Sequence, residues 1–284
     1  MRVEQLGEGD PEIAVVGGIH GDEPCGIRAV ERVLEAAPSV ERPVKFVVAN
    51  ERAATRGQRY LDIDLNRAFP GEEAANTHEG RLAYDLAEEL EGCATLALHS
   101  TQSTGRSFAI ADGLTPFVRQ VAPALSIETL VTTGPLVQGR LFTTARTIEV
   151  ECGLQGSERA ADTATQITWE FLTAMGVLGD RSAETRRVIP VFELREPIPK
   201  EGGSEYDVLA ENFERVGDGE AFASIDGQVI AADVPFYPVL LSPYGYREIF
   251  GYAAEQVGVL EPGTPHSGGE SSTSVRSRSN GQNS

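Results

Sequence analysis

Lysine is almost missing from this chain. Of 24 basic residues only Lys45 and Lys200 are lysines, and 43 acidic residues bring the formal net charge to −19. A surface of that sign repels nucleic acid and anionic membranes, so neither is expected as a partner. An acid excess with arginine in place of lysine resembles halophilic proteins, whose self-repulsion is screened by salt. Long apolar runs are missing too: no stretch approaches the ~18 residues of a membrane span. The opening segment MRVEQLGEGDPEIA lacks the apolar centre of a secretory signal, which points to the cytoplasm. Three cysteines, Cys25, Cys93 and Cys152, are odd in number and scattered, which argues against a disulfide framework. Histidine is scarce, with four in 284 residues, and scarcity makes each one informative.

What the chain does have is a patterned first two thirds. Ile13 to Val16 is an apolar, largely β-branched run that ends in Gly17 and Gly18, with His20 and Glu23 just after it. The run reads as a buried strand and the stretch from Cys25 to Ala36 as an amphipathic helix. Val44–Ala49 and Cys93–Leu98 read as further strands, and His78–Leu90 as a helix with Leu82, Leu86 and Leu90 on one face. Ser107–Ala111 and Thr147–Gly153 read as strands, Thr115–Ala124 and Glu158–Met175 as helices. Strands alternating with helices predict an α/β fold, a mostly parallel mixed sheet flanked by helices. Such sheets place ligands at strand C-termini, where His20, His99 and Glu151 fall. Between them, Asn50 to Pro70 has little periodicity and carries Arg52, Arg56, Arg59 and Arg67 beside Asp62, Asp64 and Asn66. A loop of that length and charge reads as a binding loop.

Near Arg187 the pattern changes to short β runs (Val188–Leu194, Ala221–Ile230, Val234–Leu241) without helix partners. The expected organisation is a catalytic domain at 1–187, a small C-terminal β domain at 188–258 covering the cleft, and a disordered tail at 259–284. The tail is Gly, Ser, Thr, Asn and Pro with almost no large apolar residue.

His266 lies in the tail and His78 opens a helix among polar residues, which leaves His20 and His99. With Glu23 they form a His, Glu, His set, the composition of a hydrolytic zinc site with an open fourth position. The plainer account is a His satisfied in a turn beside a Glu that favours a helix N-terminus. A zinc hydrolase also needs a base, and Glu151 at the end of an apolar strand is the candidate. Glu149 shares its face one strand step deeper, and depth favours Glu151 as the residue at the mouth. The alternative is that both are solvent-facing strand carboxylates.

GGIHGDEP, RYLDIDLNRAFPG, LHST around His99 and VECG around Glu151 resemble, in order, the aspartoacylase and succinylglutamate desuccinylase family of the zinc-carboxypeptidase-like superfamily. DGQVIAADVPFYPVLLSPYGYREIFGYA is similar to the C-terminal domain of aspartoacylases, so the likeness runs to about residue 258. The resemblance implies a zinc-carboxypeptidase-like fold and one zinc ion per subunit on His20, Glu23 and His99. It implies Glu151 as general base and Arg59 as the group that polarises the scissile carbonyl. Asn66 and Arg67 would bind the substrate α-carboxylate, and Tyr246 would reach the substrate from the C-terminal domain. Arg140 and Arg146 are both candidates for a second carboxylate on the acyl side. One departure stands out. Relatives often carry Asp two residues before the second His, where this chain has Ala97, so a main-chain carbonyl would have to orient His99.

The function these observations imply is a zinc-dependent amidohydrolase that removes a small acyl group from an anionic N-acyl amino acid. A zinc carboxypeptidase on short peptides and a catalytically silent binder of an acidic metabolite are the alternatives. The composition allows a homo-oligomer.

Overall fold

The computed structural model describes residues 1–134, 136, 139–143, 145–179 and 187–262. Strands β1 (Arg2–Leu6) and β2 (Ile13–Gly17) precede helix α1 (Pro24–Ala36) and strand β3 (Val44–Val48). A short helix α2 (Glu51–Thr55) and a 3₁₀ turn at Leu65–Arg67 interrupt the long loop before α3 (His78–Glu89). Then follow β4 (Ala94–Thr101), β5 (Phe108–Ala111), α4 (Pro116–Val121), β6 (Thr129–Thr132), β7 (Arg146–Leu154) and α5 (Glu158–Ala174). The rest is strand: β8 (Ile189–Pro199), β9 (Tyr206–Val208), β10 (Ala221–Ile225), β11 (Gln228–Ala231), β12 (Tyr237–Val239) and β13 (Ile249–Leu260).

Ten strands form one sheet in the order β1-β3-β2-β4-β7-β5-β6-β8-β13-β12. The pairs β2–β3, β2–β4, β4–β7, β5–β6 and β6–β8 are parallel, while β1–β3, β5–β7, β8–β13 and β12–β13 are antiparallel. The mixed, mainly parallel sheet expected from the sequence is the one observed. Strand β2 shows why both sheet faces are covered. All five of its residues are buried, with Ile13 and Val15 facing α1, α4 and α5, and Ala14 and Val16 facing α3 and the long loop. A pleated strand sends alternate side chains to opposite faces, so an apolar residue at every position calls for a helix layer on each.

Two glycines set how closely α1 approaches the sheet. A Cβ on Gly17 would lie 2.4 Å from the Gly26 carbonyl carbon, and one on Gly26 would lie 2.9 Å from the Gly17 Cα. Only a glycine pair lets the first turns of the helix rest on the end of β2, and that contact fixes the turn carrying His20 and Glu23.

Residues 188–258 are rich in strand, as their composition suggests, and the strands divide into two sets. β8, β12 and β13 extend the large sheet, and β9, β10 and β11 form a separate three-stranded sheet. The large sheet therefore runs across residue 188 without a break. The expected strand at Ala221–Ile230 is a hairpin, turned at Asp226 (φ 50°) and Gly227 (φ 78°). Val259 and Leu260, assigned from sequence to the tail, are instead the last residues of β13, paired with Pro190 and Ile189. The rest of the disordered-tail reading, from residue 263 and including His266, lies outside the described residues. No described helix is long and apolar enough to cross a membrane.

Candidate active site

Glu23 occupies the N-cap position of α1, yet its side chain makes no capping hydrogen bond. Helices α3, α4 and α5 are capped by Thr77, Thr115 and Ser157, so the exception is local. An N-cap oxygen usually adds about 1 kcal/mol. In α1 that is forgone, with Pro24 supplying a preset first turn, and the carboxylate points away from its helix. It is 3% exposed and gathers four partners. Oε1 meets His20 Nδ1 at 2.8 Å and accepts from Arg59 Nη1 at 2.8 Å. Oε2 meets His99 Nδ1 at 3.0 Å and accepts from the Ser100 amide at 3.1 Å.

His20, Glu23 and His99, all buried, bring their ligand atoms within 4.8 Å of one another, and the two rings lie 5.0 Å apart. The parallel register supplies the remaining neighbour: His99 on β4 stands opposite Glu151 on β7, as Ala97 stands opposite Glu149. Both strands run two or three residues past these positions, so the pair sits within the sheet and slightly short of its end.

The charges in this cluster push against one another. Burial alone would lower His99, but its hydrogen bond and charge contact with Glu23, backed by Glu149 and Glu151, push it up to about 9. His20 is likewise raised: burial opposes the charge, and Glu23 with Asp64 outweighs it. Burial, reinforced by the Glu23 charge, pushes Glu151 up to about 7. Glu151 Oε2 and His99 Nε2 are both buried without a hydrogen-bond partner. Two imidazole nitrogens and a carboxylate converging on one point, with an unpartnered carboxylate oxygen alongside, fit a divalent cation of zinc's ligand preference. The cluster calls for positive charge: Arg59 supplies some of it at Glu23, and a divalent cation, or protons on the imidazoles, would supply more.

Around the cluster the long loop folds into a bracket. Asp64 Oδ1 holds His20 Nε2 at 3.0 Å, the arrangement that fixes a ligand imidazole's orientation. Burial would raise the Asp64 carboxyl, but His20 and then Arg59 and Arg67 hold it well below the usual range. Arg59 spans the two carboxylates, donating from Nη1 to Glu23 and from Nε to Asp64 at 3.3 Å. Arg67 is exposed and donates to the Asn66 carbonyl at 2.6 Å. Arg52 and Arg56 are exposed on and beside α2, and Arg52 reaches His78 Nδ1 at 3.2 Å.

Asn66, for which the resemblance implied substrate binding, faces Glu149. It is buried, its Nδ2 donates to both oxygens of Glu149 (3.1 and 3.2 Å), and its Oδ1 accepts from the Leu141 amide at 3.0 Å. Arg140 is also buried and reaches Glu149 Oε2 at 3.4 Å, whereas Arg146 begins β7 at its exposed far end and bonds the Gly92 carbonyl. Tyr246 is half-buried against an aromatic cluster, its ring edge-on to Tyr252 at 6.0 Å. Burial and then Tyr252 raise its phenol against the opposing charges of Arg140 and Arg67. Among the described residues His99 meets Glu23 through Nδ1 and its Nε2 has no hydrogen-bond partner, so no main-chain carbonyl orients the ring there. The main-chain contact at this position is the His99 carbonyl, which accepts from Cys25 Sγ at 3.3 Å.

Glu79 escaped sequence reasoning. It is fully buried in the first turn of α3 and accepts from the amides of Leu61 (2.7 Å), Asp62 (3.0 Å) and Ile63 (3.3 Å) and from Asn50 Nδ2 (3.0 Å). An acidic residue there reads as a helix-terminus charge, and nothing in its spacing announces a loop anchor.

Known proteins resemble this chain in sequence and in fold. Residues 9–111 match the model of the succinylglutamate desuccinylase/aspartoacylase catalytic domain. Aspartoacylase of Xenopus tropicalis is 25% identical over 281 residues, covering 83% of this chain and 88% of that protein. Other curated aspartoacylases align over 26–27% of their length. Among solved structures, the ectoine utilization protein EutE (DoeB) of Ruegeria pomeroyi has a TM-score of 0.73 at 19% identity, covering 89% of this chain and 87% of that one. A succinylglutamate desuccinylase/aspartoacylase of Rhodobacter sphaeroides gives 0.72 at 16% identity, over 90% and 89%. At these identities the structures speak for the fold, and the sequence matches together with the ordered motifs make the chain similar to the aspartoacylase and succinylglutamate desuccinylase family.

Proposed function

We propose that this protein is a zinc-dependent amidohydrolase that removes a small acyl group from an N-acyl amino acid. The observation that carries the reading is the convergence of His20, Glu23 and His99 beside a buried Glu151 oxygen that has no partner. His20 Nδ1, the Glu23 carboxylate and His99 Nδ1 would hold one zinc ion per chain. When bound, zinc supplies Lewis acidity, lowering the pKa of water and polarising the acyl carbonyl.

The chain's own groups take the remaining parts. Glu151, buried with an oxygen that has no partner, takes a proton from water at its carboxylate and passes it to the departing amine nitrogen. Glu149 is unsuited to that task, because both its oxygens already accept hydrogen bonds. Arg59 uses Nε and Nη1 on Asp64 and Glu23, leaving Nη2 for the negative charge that develops on the carbonyl oxygen. Arg67, at the exposed rim, holds the substrate carboxylate bidentately. Asn66 supports this group from below, consistent with its internal hydrogen bonds.

Residues 1–187 form the catalytic unit in this reading, and the segment at 188–258 narrows the cleft to the size of one acylated amino acid. Asn212 supports that role. It donates to the carbonyls of Ser103 and Leu241, both at 3.0 Å, and so ties the loop after β4 to the turn that carries Tyr246.

Metal analysis with a panel of N-acyl amino acids tests the proposal. The expected outcome is one zinc per chain and release of free amine, with Glu151→Gln retaining zinc while turnover falls by about 10²–10⁴. Zinc without turnover of any substrate would make the protein a silent binder. Cleavage of peptides in preference to N-acyl amino acids would make it a carboxypeptidase. A dead Glu149→Gln beside an active Glu151→Gln would move the base.

A further inference from the structure

Glu149 sits one strand step below Glu151, 2% exposed, and every contact it makes is to a donor. Asn66 donates to both its oxygens and Arg140 to one, so the group acts as a pure acceptor, the behaviour of an ionised carboxylate. Arg140 has its charge matched before any ligand arrives. Its guanidinium also lies 5.8 Å from the Phe142 ring centroid. Asn66 has neither an amide hydrogen-bonding direction nor an oxygen to spare, because Leu141 takes Oδ1.

The pairings leave no guanidinium over for a second anion at this place: Arg140 is matched by Glu149, and Arg59 by Glu23 and Asp64, with the Asp22 charge acting on it as well. A second substrate carboxylate entering beside Arg140 would lie close to Glu149, where a like charge is poorly screened.

We propose that the Glu149–Arg140–Asn66 network selects substrates with a single carboxylate, an N-acyl amino acid whose side chain and acyl group are both uncharged, and turns dicarboxylates away. Glu149 is the specificity-determining residue: it neutralises the arginine that would otherwise clamp a second carboxylate. This inference rests on the deacylase reading for its substrate and on the network alone for its charge rule.

Two probes of equal length, butanoate and succinate, test the rule by binding without turnover. Calorimetry on the zinc-loaded wild-type protein should find butanoate the tighter ligand. Glu149→Gln keeps the shape, removes the charge and frees Arg140, so the ratio should move toward succinate by about 10- to 100-fold. In turnover, N-acetylalanine should be preferred to N-acetylaspartate by the wild type, and the preference should shift the same way in Glu149→Gln. Succinate binding more tightly than butanoate to the wild type would overturn the proposal, a result that stands even if the variant does not fold. A folded Glu149→Gln with an unchanged ratio would overturn it as well. If the binding ratio behaves as expected and no N-acyl amino acid is hydrolysed, the deacylase reading falls and the charge rule stands. If N-acetylaspartate is the better substrate, the charge rule falls alone.

Discussion

Replacing Glu79 by alanine should damage the catalytic cleft from a position outside it. The carboxylate holds three consecutive loop amides and the Asn50 side chain, and the loop it holds carries Arg59, Asp64, Asn66 and Arg67. A hydrogen bond to a charged acceptor contributes about 1.5–3 kcal/mol. Asp62 and Ile63 are exposed, so water can replace the acceptor there, whereas the Leu61 amide and the buried Asn50 amide have less access to it. Counting those two donors alone gives a loss of about 3–6 kcal/mol. The loop can open locally, which caps the global loss near the low end, a fall in Tm of about 6–10 °C for a domain of this size. Activity should suffer more, because a misplacement of about 1 Å costs on the order of 100-fold in rate. Burial would raise the Glu79 carboxyl, but its backbone donors outweigh that and hold it below the usual value. Its contribution is therefore present above the unfolded pKa and lost as pH falls through the folded one, so the Tm gap between wild type and variant should close below about pH 4. Melting curves from pH 3 to 7, kcat/KM, and tryptic cleavage at Arg56, Arg59 and Arg67 together measure the effect. A variant with wild-type Tm, activity and protease resistance would refute the loop-anchor reasoning.

Three further outcomes are expected. His20→Ala and Glu23→Ala should each lose bound zinc and activity, and full zinc content in both by elemental analysis would remove the ligand assignment. Tyr246→Phe should lower kcat/KM by about 10- to 150-fold with the fold intact, the value of one hydrogen bond to a charged group, and unchanged kinetics would confine the phenol to the aromatic cluster. With a net charge of −19, Tm should rise as salt goes from about 0.1 to 1 M and the screening length shrinks from about 10 to 3 Å. The exposed ion pairs, such as Arg28–Glu158 and Arg2–Glu4, are worth too little individually for their screening to reverse that trend, and a flat melting temperature would end the halophile inference.

Most strands legible in the sequence are buried on both faces and the legible helices are amphipathic, whereas β6, also buried throughout but only four residues long with a threonine at each end, went unread. β2, β3, β4 and β7 announce themselves as apolar runs, and α1, α3 and α5 by their periodicity, each within a residue or a few of the observed bounds. The strands that went unread have a physical excuse. β1 is an edge strand whose three central residues face solvent, so Arg2–Leu6 carries no hydrophobic signal. β13 shifts register at three places, two of them involving Gly251 and Gly258, and those breaks scramble the alternation by which a long strand is recognised. For the same reason its pairing with β8 across the large sheet, and hence the continuity of that sheet past residue 188, could not be seen in residues 188–258 alone.

The site divides along the same physical line. His20, Glu23, His99 and Glu151 could be found because each ends or follows a strand, and a parallel sheet collects such positions at one edge whatever their separation in sequence. The register His99 opposite Glu151 is that rule at work. The pairs that tune the site obey no such rule. Asn66 meets Glu149 across 83 residues and Arg140 across 9, and only the path of the loop decides which carboxylate each arginine meets. Arg140 and Arg146 are indistinguishable as sequence, both arginines near the start of an apolar strand. Arg140 precedes the 3₁₀ turn at Leu141–Thr143 and lies buried beside Glu149, whereas Arg146 opens β7 at its exposed end. Ligand identity is therefore written in strand ends, and substrate charge in loop contacts. The family likeness transfers the first to this chain more securely than the second, and Glu149 is where this chain's own loop contacts decide.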